Sequence, residues 1–204
     1  MEQRENPAWW AARLGKVTAS RVADVVAKNK AGPSASRTNY MAQLICERLT
    51  GVVAESFTTP AMQWGIDQEP HARAAYSAKT GNLVDEVGFI DHPEIEGAGA
   101  SPDGVVEEDG LIEIKCQSLA NSLDFILTEK IPSRYRMQMQ WQMACTGRPW
   151  CDFVSYDARL PENLRLLVIR VDRDDGRIKE LEQEVKEFLQ ELDDKVNKLK
   201  KVKL

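Results

Sequence analysis

The chain has 204 residues, 43% of them hydrophobic and 29% charged, with a formal net charge of −5. That length buries roughly 70% of an unfolded surface without staples, and the negative balance argues against a broadly basic nucleic-acid-binding surface. There is no apolar run long enough to span a membrane and no signal-peptide pattern. The four cysteines (Cys46, Cys116, Cys145, Cys151) form no CxxC, which reads as reduced cytosolic thiols and argues against a disulfide framework, a zinc site or an iron–sulfur cluster.

Residues 7–28 read as a helical opening. Trp9 and Trp10 precede a link, Leu14-Gly15-Lys16-Val17-Thr18, after which Thr18 or Ser20 is placed to cap a helix through Val26. Arg13 and Ser20 bracket the link. A helix start offers free N–H groups to an anion and a nearby arginine adds a bidentate clamp; a plain cap beside a surface arginine fits the same residues. Residues 28–37 are a Gly/Pro/Ser loop. Residues 38–50 form an amphipathic helix, with Tyr40, Leu44, Ile45 and Leu49 on one face and Gly51 as its stop. Thr59-Pro60 starts another helix, through Met62, Trp64 and Glu69 to about Lys79, which Pro70 is expected to kink or divide. Glu69, at that break, is either solvated or a third ligand for an acidic site. Residues 84–91 read as a strand and His92-Pro93 as a turn.

Residues 101–115 read as a hairpin that gathers charge. Ser101-Pro102-Asp103-Gly104 suits a type I turn, Val105-Val106 and residues 111–114 are short strands, and Asp109-Gly110 closes them. A two-residue Asp109-Gly110 loop would pair Asp103 with Cys116 and turn it away from Glu113. A three-residue loop over 108–110, with Gly110 left-handed, pairs Asp103 with Lys115 and Val105 with Glu113. The second register is preferred because it puts Asp103, Glu113 and Lys115 on one face and Ile112 and Ile114 on the other. Two carboxylates and a backbone carbonyl, that of Ile114, suit Mg²⁺, and the lysine can hold a water or meet charge on a phosphate. A solvated hairpin with a cross-strand ion pair fits the same spacing.

Residues 119–131 read as a helix ending before Pro132. Residues 133–146 form a helix with an apolar row, Met137, Trp141 and Cys145, beside a polar row, Gln138 and Gln142. The polar row is either a neutral packing face or a pair of amides able to orient a water. Residues 150–157 and 164–172 are strands, residues 174–176 a turn, and residues 177–200 a long charged helix. Its row of Ile178, Leu181, Val185, Phe188, Leu192 and Leu199 is a coiled-coil seam or, preferably, a docking face. Charge is uneven: Arg4, Arg13, Lys16, Arg21, Lys28, Lys30 and Arg37 face only Glu2, Glu5 and Asp24 in residues 1–40, while residues 91–113 hold eight acids and no lysine or arginine. A basic lobe beside an acidic pocket fits a protein that holds a polyanion through metal ions.

Five segments in order, Arg-Leu-Gly-x-x-Thr-Ala-Ser at 13–20, Trp-Gly-x-x-x-Glu at 64–69, Ser-Pro-Asp-Gly at 101–104, Glu-x-Lys at 113–115 and Tyr-x-x-Gln at 135–138, resemble the lambda exonuclease family, the YqaJ-type viral recombinases of the PD-(D/E)xK nuclease superfamily. The resemblance implies an α/β fold with a restriction-endonuclease-like core: a central mixed sheet flanked by helices, the metal site at one edge, and one nuclease domain over residues 1–204. It implies a Mg²⁺-dependent exonuclease, with two ions that Mn²⁺ can replace, degrading one strand of duplex DNA from its 5′ end to 5′-mononucleotides. The 3′ single strand would serve recombination. Asp103, Glu113, the carbonyl of Ile114 and Glu69 would hold the metals, Lys115 would position or deprotonate the water, and Gln138 would help orient it. Arg13 and Ser20 match a 5′-phosphate pocket, Met62 an apolar wedge, and Lys30 a loop that grips DNA. A ring-shaped homotrimer, a single-strand annealing partner and a phage or prophage setting in the bacterial cytoplasm follow from the same likeness. An endonuclease of the same fold and a non-catalytic DNA-binding module are the alternatives.

Overall fold

The computed structural model describes residues 6–30, 32–54 and 58–202. Its helices are α1 (Pro7–Arg13), α2 (Val22–Val25), α3 (Ala35–Thr50), α4 (Pro60–Thr80), α5 (Leu119–Thr128), α6 (Ser133–Thr146) and α7 (Asp175–Lys200). The strands are β1 (Val17–Thr18), β2 (Lys28–Asn29), β3 (Gly32–Pro33), β4 (Val84–Asp85), β5 (Ile90–Asp91), β6 (Ala98–Ala100), β7 (Gly104–Val106), β8 (Gly110–Lys115), β9 (Trp150–Tyr156) and β10 (Leu166–Asp172).

Alternation along the strands sets the layers. The main sheet has the order β10-β9-β8-β7-β4, with β8 parallel to β9 and the other pairs antiparallel. One face, through Leu111, Cys151, Phe153 and Val171, packs on Phe125 of α5 and Met139 and Met143 of α6. The other, through Ile112, Ile114 and Val154, packs on Ala72 and Tyr76 of α4. A second sheet, β1-β6-β5, joins α2, α3, α6 and α7 in a separate core around Trp141 and Phe188. The expected mixed sheet between helices is present. Its β8 is the central strand, so Glu113 rides the middle of the sheet, with Asp103 in the turn before β7.

The hairpin takes neither expected register. Gly104 pairs with Ile112, Val105 with Leu111 and Val106 with Gly110, so the loop is Glu107-Glu108-Asp109. Glu107, at φ 46°, is the left-handed residue. Gly110 is needed for another reason: a Cβ there would lie 1.9 Å from the indole of Trp150. One step past Gly104, this frame sets Asp103 opposite Glu113, so the expected shared face survives.

Other expectations shift as well. Residues 84–91 split into β4 and β5, which belong to different sheets. Residues 7–28 break into α1, β1, a 3₁₀ turn (Ala19–Arg21) and the four-residue α2. The break is fixed by Gly15 at φ 67°, whose N–H donates to Glu47 at 2.9 Å while its carbonyl accepts from Arg48 at 2.8 Å. The loop at 28–37 contains the β2–β3 hairpin, and α3 starts within it. The helix expected over 119–131 ends at Thr128, where Glu129 takes a left-handed cap. Helix α4 passes Pro70 as one element; the proline removes a donor to the Ile66 carbonyl, but Ala72 and Tyr76 beyond it are fully buried against the sheet.

The residues expected as a turn at 174–176 instead start α7, with Asp174 as its cap. Helix α7 docks through Ile178, Leu181, Val185, Phe188 and Leu192, while Leu199 is exposed. Its acids also neutralise part of the basic lobe: Glu184 pairs with Lys28 at 2.6 Å and Glu191 with Arg37 at 2.8 Å, while Asp193 pairs with Arg48 beyond the lobe. Lys16 and Arg21 pair with Asp91 and Asp24. The lobe is therefore no free cationic surface; Arg4, Glu2 and Glu5 lie outside the described residues. No helix among the described residues is long and apolar enough to cross a membrane.

Candidate active site

The turn before β7 and the end of β8 bring the predicted groups together. Asp103 Oδ2 accepts the backbone N–H of Ile114 at 2.7 Å. The N–H and C=O of a strand residue leave by the same edge, so the Ile114 carbonyl also lies on the Asp103 side. Glu113 has no exposed surface. Its Oε1 accepts from Lys115 Nζ and, at 2.7 Å, from Gln138 Nε2, and its Oε2 accepts from Gln142 Nε2 at 2.6 Å. The two glutamines reach it because α6 presents them one turn apart over the β8 face.

These groups open onto a cavity of about 480 Å³. Arg13, Ser20, Met62, Glu69, Asp103, Glu113, Lys115 and Gln138 all line it. Arg13 Nη1 donates to Ser101 Oγ at 3.0 Å, with the guanidinium 4.1 Å from the centroid of a Trp9 ring. Ser20 sits in the 3₁₀ turn, 3.5 Å from the Thr18 hydroxyl. That turn is too short for the expected helix-terminus contribution, so an anion site here rests on side chains. Ile114 contributes only backbone, its side chain being in the opposite core. Lys30 does not line the cavity; it is exposed at the tip of the β2–β3 hairpin.

Burial first, and then the charges of Glu113 and Glu69, push the Asp103 carboxyl well above the usual carboxylate range, against the pull of Lys115 and the Ile114 N–H. Burial disfavours the Lys115 ammonium, but Glu113 and Asp103 outweigh it and hold the lysine above its ordinary value. A buried carboxyl raised by its carboxylate neighbours suits a divalent cation. Among the described residues no three His, Cys, Asp or Glu side chains cluster as a metal cage, so Glu69 lines the cavity without joining a trio. Two carboxylates, one carbonyl and open space for water and phosphate fit Mg²⁺, which keeps several waters. Glu113 has three donors on about four acceptor positions, which leaves one for a cation.

A family model described as the YqaJ-like viral recombinase domain matches residues 8–149. The chain belongs to the YqaJ-like viral recombinase family. Among solved structures it is similar to the alkaline exonuclease LHK-Exo of Laribacter hongkongensis, with 55% identity over 96% of each chain and a TM-score of 0.90. The same enzyme solved in complex with dAMP gives 56% identity over 96% of each chain and a TM-score of 0.91. A phage-related exonuclease from Haemophilus somnus 129PT has 17% identity over 90% of this chain and 96% of that one, with a TM-score of 0.73; it shows the shared fold. Comparison with curated proteins gives no significant match.

Of the residues around the site, Arg73 escaped the sequence reading. Arg73, one helical turn after Glu69, lines the cavity, donates to the Asp103 carbonyl at 3.3 Å and pairs with Glu86. Its i,i+4 spacing from Glu69 was the available signal. Gln142 was seen as part of a row, but nothing in the sequence tied that row to Glu113.

Proposed function

We propose that the protein is a Mg²⁺-dependent exonuclease that degrades one strand of linear duplex DNA from a 5′-phosphorylated end. It releases 5′-mononucleotides and leaves a 3′ single strand for annealing-type recombination. The observation that carries this reading is that an arginine–serine clamp and a buried carboxylate–lysine group share one cavity. The 55% identity to an alkaline exonuclease, also solved with dAMP, supports it.

Asp103, Glu113 and the Ile114 carbonyl would hold one Mg²⁺, with Glu69 reaching a second; Mn²⁺ would substitute. Bound there, the ions would supply an activated water and charge neutralisation at the phosphate. Arg13, Ser20 and Ser101 present donors to the terminal 5′-phosphate, which gives the enzyme its direction. Lys115, held as an ammonium, donates to the attacking water or to the phosphate and so positions more than it deprotonates. Gln138 donates to Glu113, which leaves its carbonyl to accept from the water. Met62, 46% exposed on the cavity wall, serves as the wedge against the terminal base pair, and Lys30 contacts the backbone from its hairpin. The whole chain acts as one nuclease domain, in a homotrimeric ring beside a single-strand annealing protein, as a phage or prophage protein in the host cytoplasm.

A linear duplex labelled at either 5′ end, incubated with Mg²⁺ or with EDTA, tests the reading. Loss of 5′ label as mononucleotide in Mg²⁺ alone, slowed when the 5′-phosphate is removed, is the expected result. Cutting of closed circular DNA, or rates indifferent to the phosphate, would contradict it.

A further inference from the structure

Helix α6 carries two glutamines one turn apart, and only Gln138 has a place in the chemistry above. Gln142 is fully buried. Its Nε2 donates to Glu113 Oε2 at 2.6 Å, and its Oε1 accepts from the Cys151 thiol, 3.9 Å away on β9. The two ends of the amide thus meet complementary partners. A carboxylate only accepts, so the NH₂ end must face Glu113. Were the amide to turn over, its carbonyl would oppose the carboxylate in a dry site, where an unmatched polar contact is costly. The Cys151 hydrogen is the contact that favours the productive orientation. Burial pushes this thiol well above its ordinary value, so it remains a donor.

We propose that Gln142, oriented by Cys151, is a positioning residue for Glu113, fixing the plane in which that carboxylate meets the cavity. Gln138 and Lys115 hold one oxygen from the solvent side; the Cys151–Gln142 relay holds the other from inside the sheet. The proposal rests on the nuclease reading above, because it assigns the relay to a carboxylate that reading uses.

Gln142→Met keeps the shape and removes the hydrogen bonds. Outer partners of metal-binding carboxylates are worth about 10–100-fold in affinity or activity. A drop of that order in kcat, with the KM for duplex little changed, is expected. Mn²⁺ binding to the DNA-free protein, measured by calorimetry, should weaken comparably. Cys151→Ala should lose less, and Cys151→Ser, which keeps a donor, should recover much of that loss. Because Cys151 acts through Gln142, the double variant Gln142→Met/Cys151→Ala should be no worse than Gln142→Met alone. Additive losses, or variants with the kcat and Mn²⁺ affinity of the parent, would overturn the relay. If Gln142→Met fails to fold by circular dichroism, the Cys151→Ala and Cys151→Ser pair decides, and equal rates for the two would overturn it. A parent protein that digests DNA while the variants are indifferent defeats this proposal alone. A parent that neither binds Mn²⁺ nor digests DNA defeats the nuclease reading and the relay together.

Discussion

Adding one methyl group at Gly110 tests the account of how β8 is set in place. A Cβ there would lie 1.9, 2.1 and 2.4 Å from three atoms of the Trp150 ring, where carbon atoms normally stand about 3.5–4.0 Å apart. The ring must retreat by roughly 1.5 Å to reach that separation. The Arg170 guanidinium stacks on that ring, 3.5 Å from its centroid, and is bonded to Asp152 at 2.9 and 3.0 Å. Overpacking of this kind costs about 1–3 kcal/mol, and a loosened cation–π contact adds about 1 kcal/mol. We expect Gly110→Ala to destabilise by about 3 kcal/mol. With a urea m-value of about 2 kcal/mol/M, the midpoint should fall by about 1.5 M. In a Trp150→Ala background the same substitution should cost under about 0.5 kcal/mol, since the obstacle is gone. A left-handed glycine would instead cost about 1 kcal/mol in both backgrounds. Equal costs with and without Trp150 would refute the packing argument.

Lys115→Met should cut turnover by at least about 100-fold while duplex binding persists in a filter assay, because a charge-stabilising donor is lost; unchanged kcat would remove Lys115 from the mechanism. His92 accepts the N–H groups of Glu94 and Ile95 at 3.2 Å each, and burial holds it below the ordinary histidine value against the pull of Glu182 and Glu94, with Lys186 adding to the depression. A depressed folded pKa means its contribution is complete above about pH 6.5 and is lost as pH falls through and below that value. His92→Asn, whose carbonyl can accept the same N–H groups, should therefore flatten the stability profile between about pH 7.5 and 5.5 in urea titrations; an unchanged slope would contradict this. Tyr76→Phe removes a donor 2.7 Å from the buried Asp152 and should cost about 2 kcal/mol by urea midpoint; a change within about 0.5 kcal/mol would show the bond to be dispensable.

The parts of this fold legible in the sequence are those fixed by local pattern. Isoleucines at 112 and 114 alternating with Glu113 and Lys115 gave the two faces of β8, and Gly51 and Thr59-Pro60 gave helix ends within a residue or two. What escaped depends on residues far apart in the chain. The need for glycine at 110 comes from Trp150, 40 positions later, so turn chemistry alone pointed to the wrong glycine role. The basic lobe looked free partly because the partners of Lys28 and Arg37 lie on α7, more than 140 residues away. The five ordered segments identified the family and eight cavity-lining residues, whereas Arg73 and Gln142 required the packing of α4 and α6 on β8 to acquire a purpose.

A crystal soaked in Mn²⁺ and measured at an anomalous wavelength addresses the core of the account. It should show a peak about 2.1 Å from carboxylate oxygens of both Asp103 and Glu113, absent in Asp103→Asn. A map without a peak between those two side chains, at a Mn²⁺ concentration that supports digestion of DNA in solution, would contradict it.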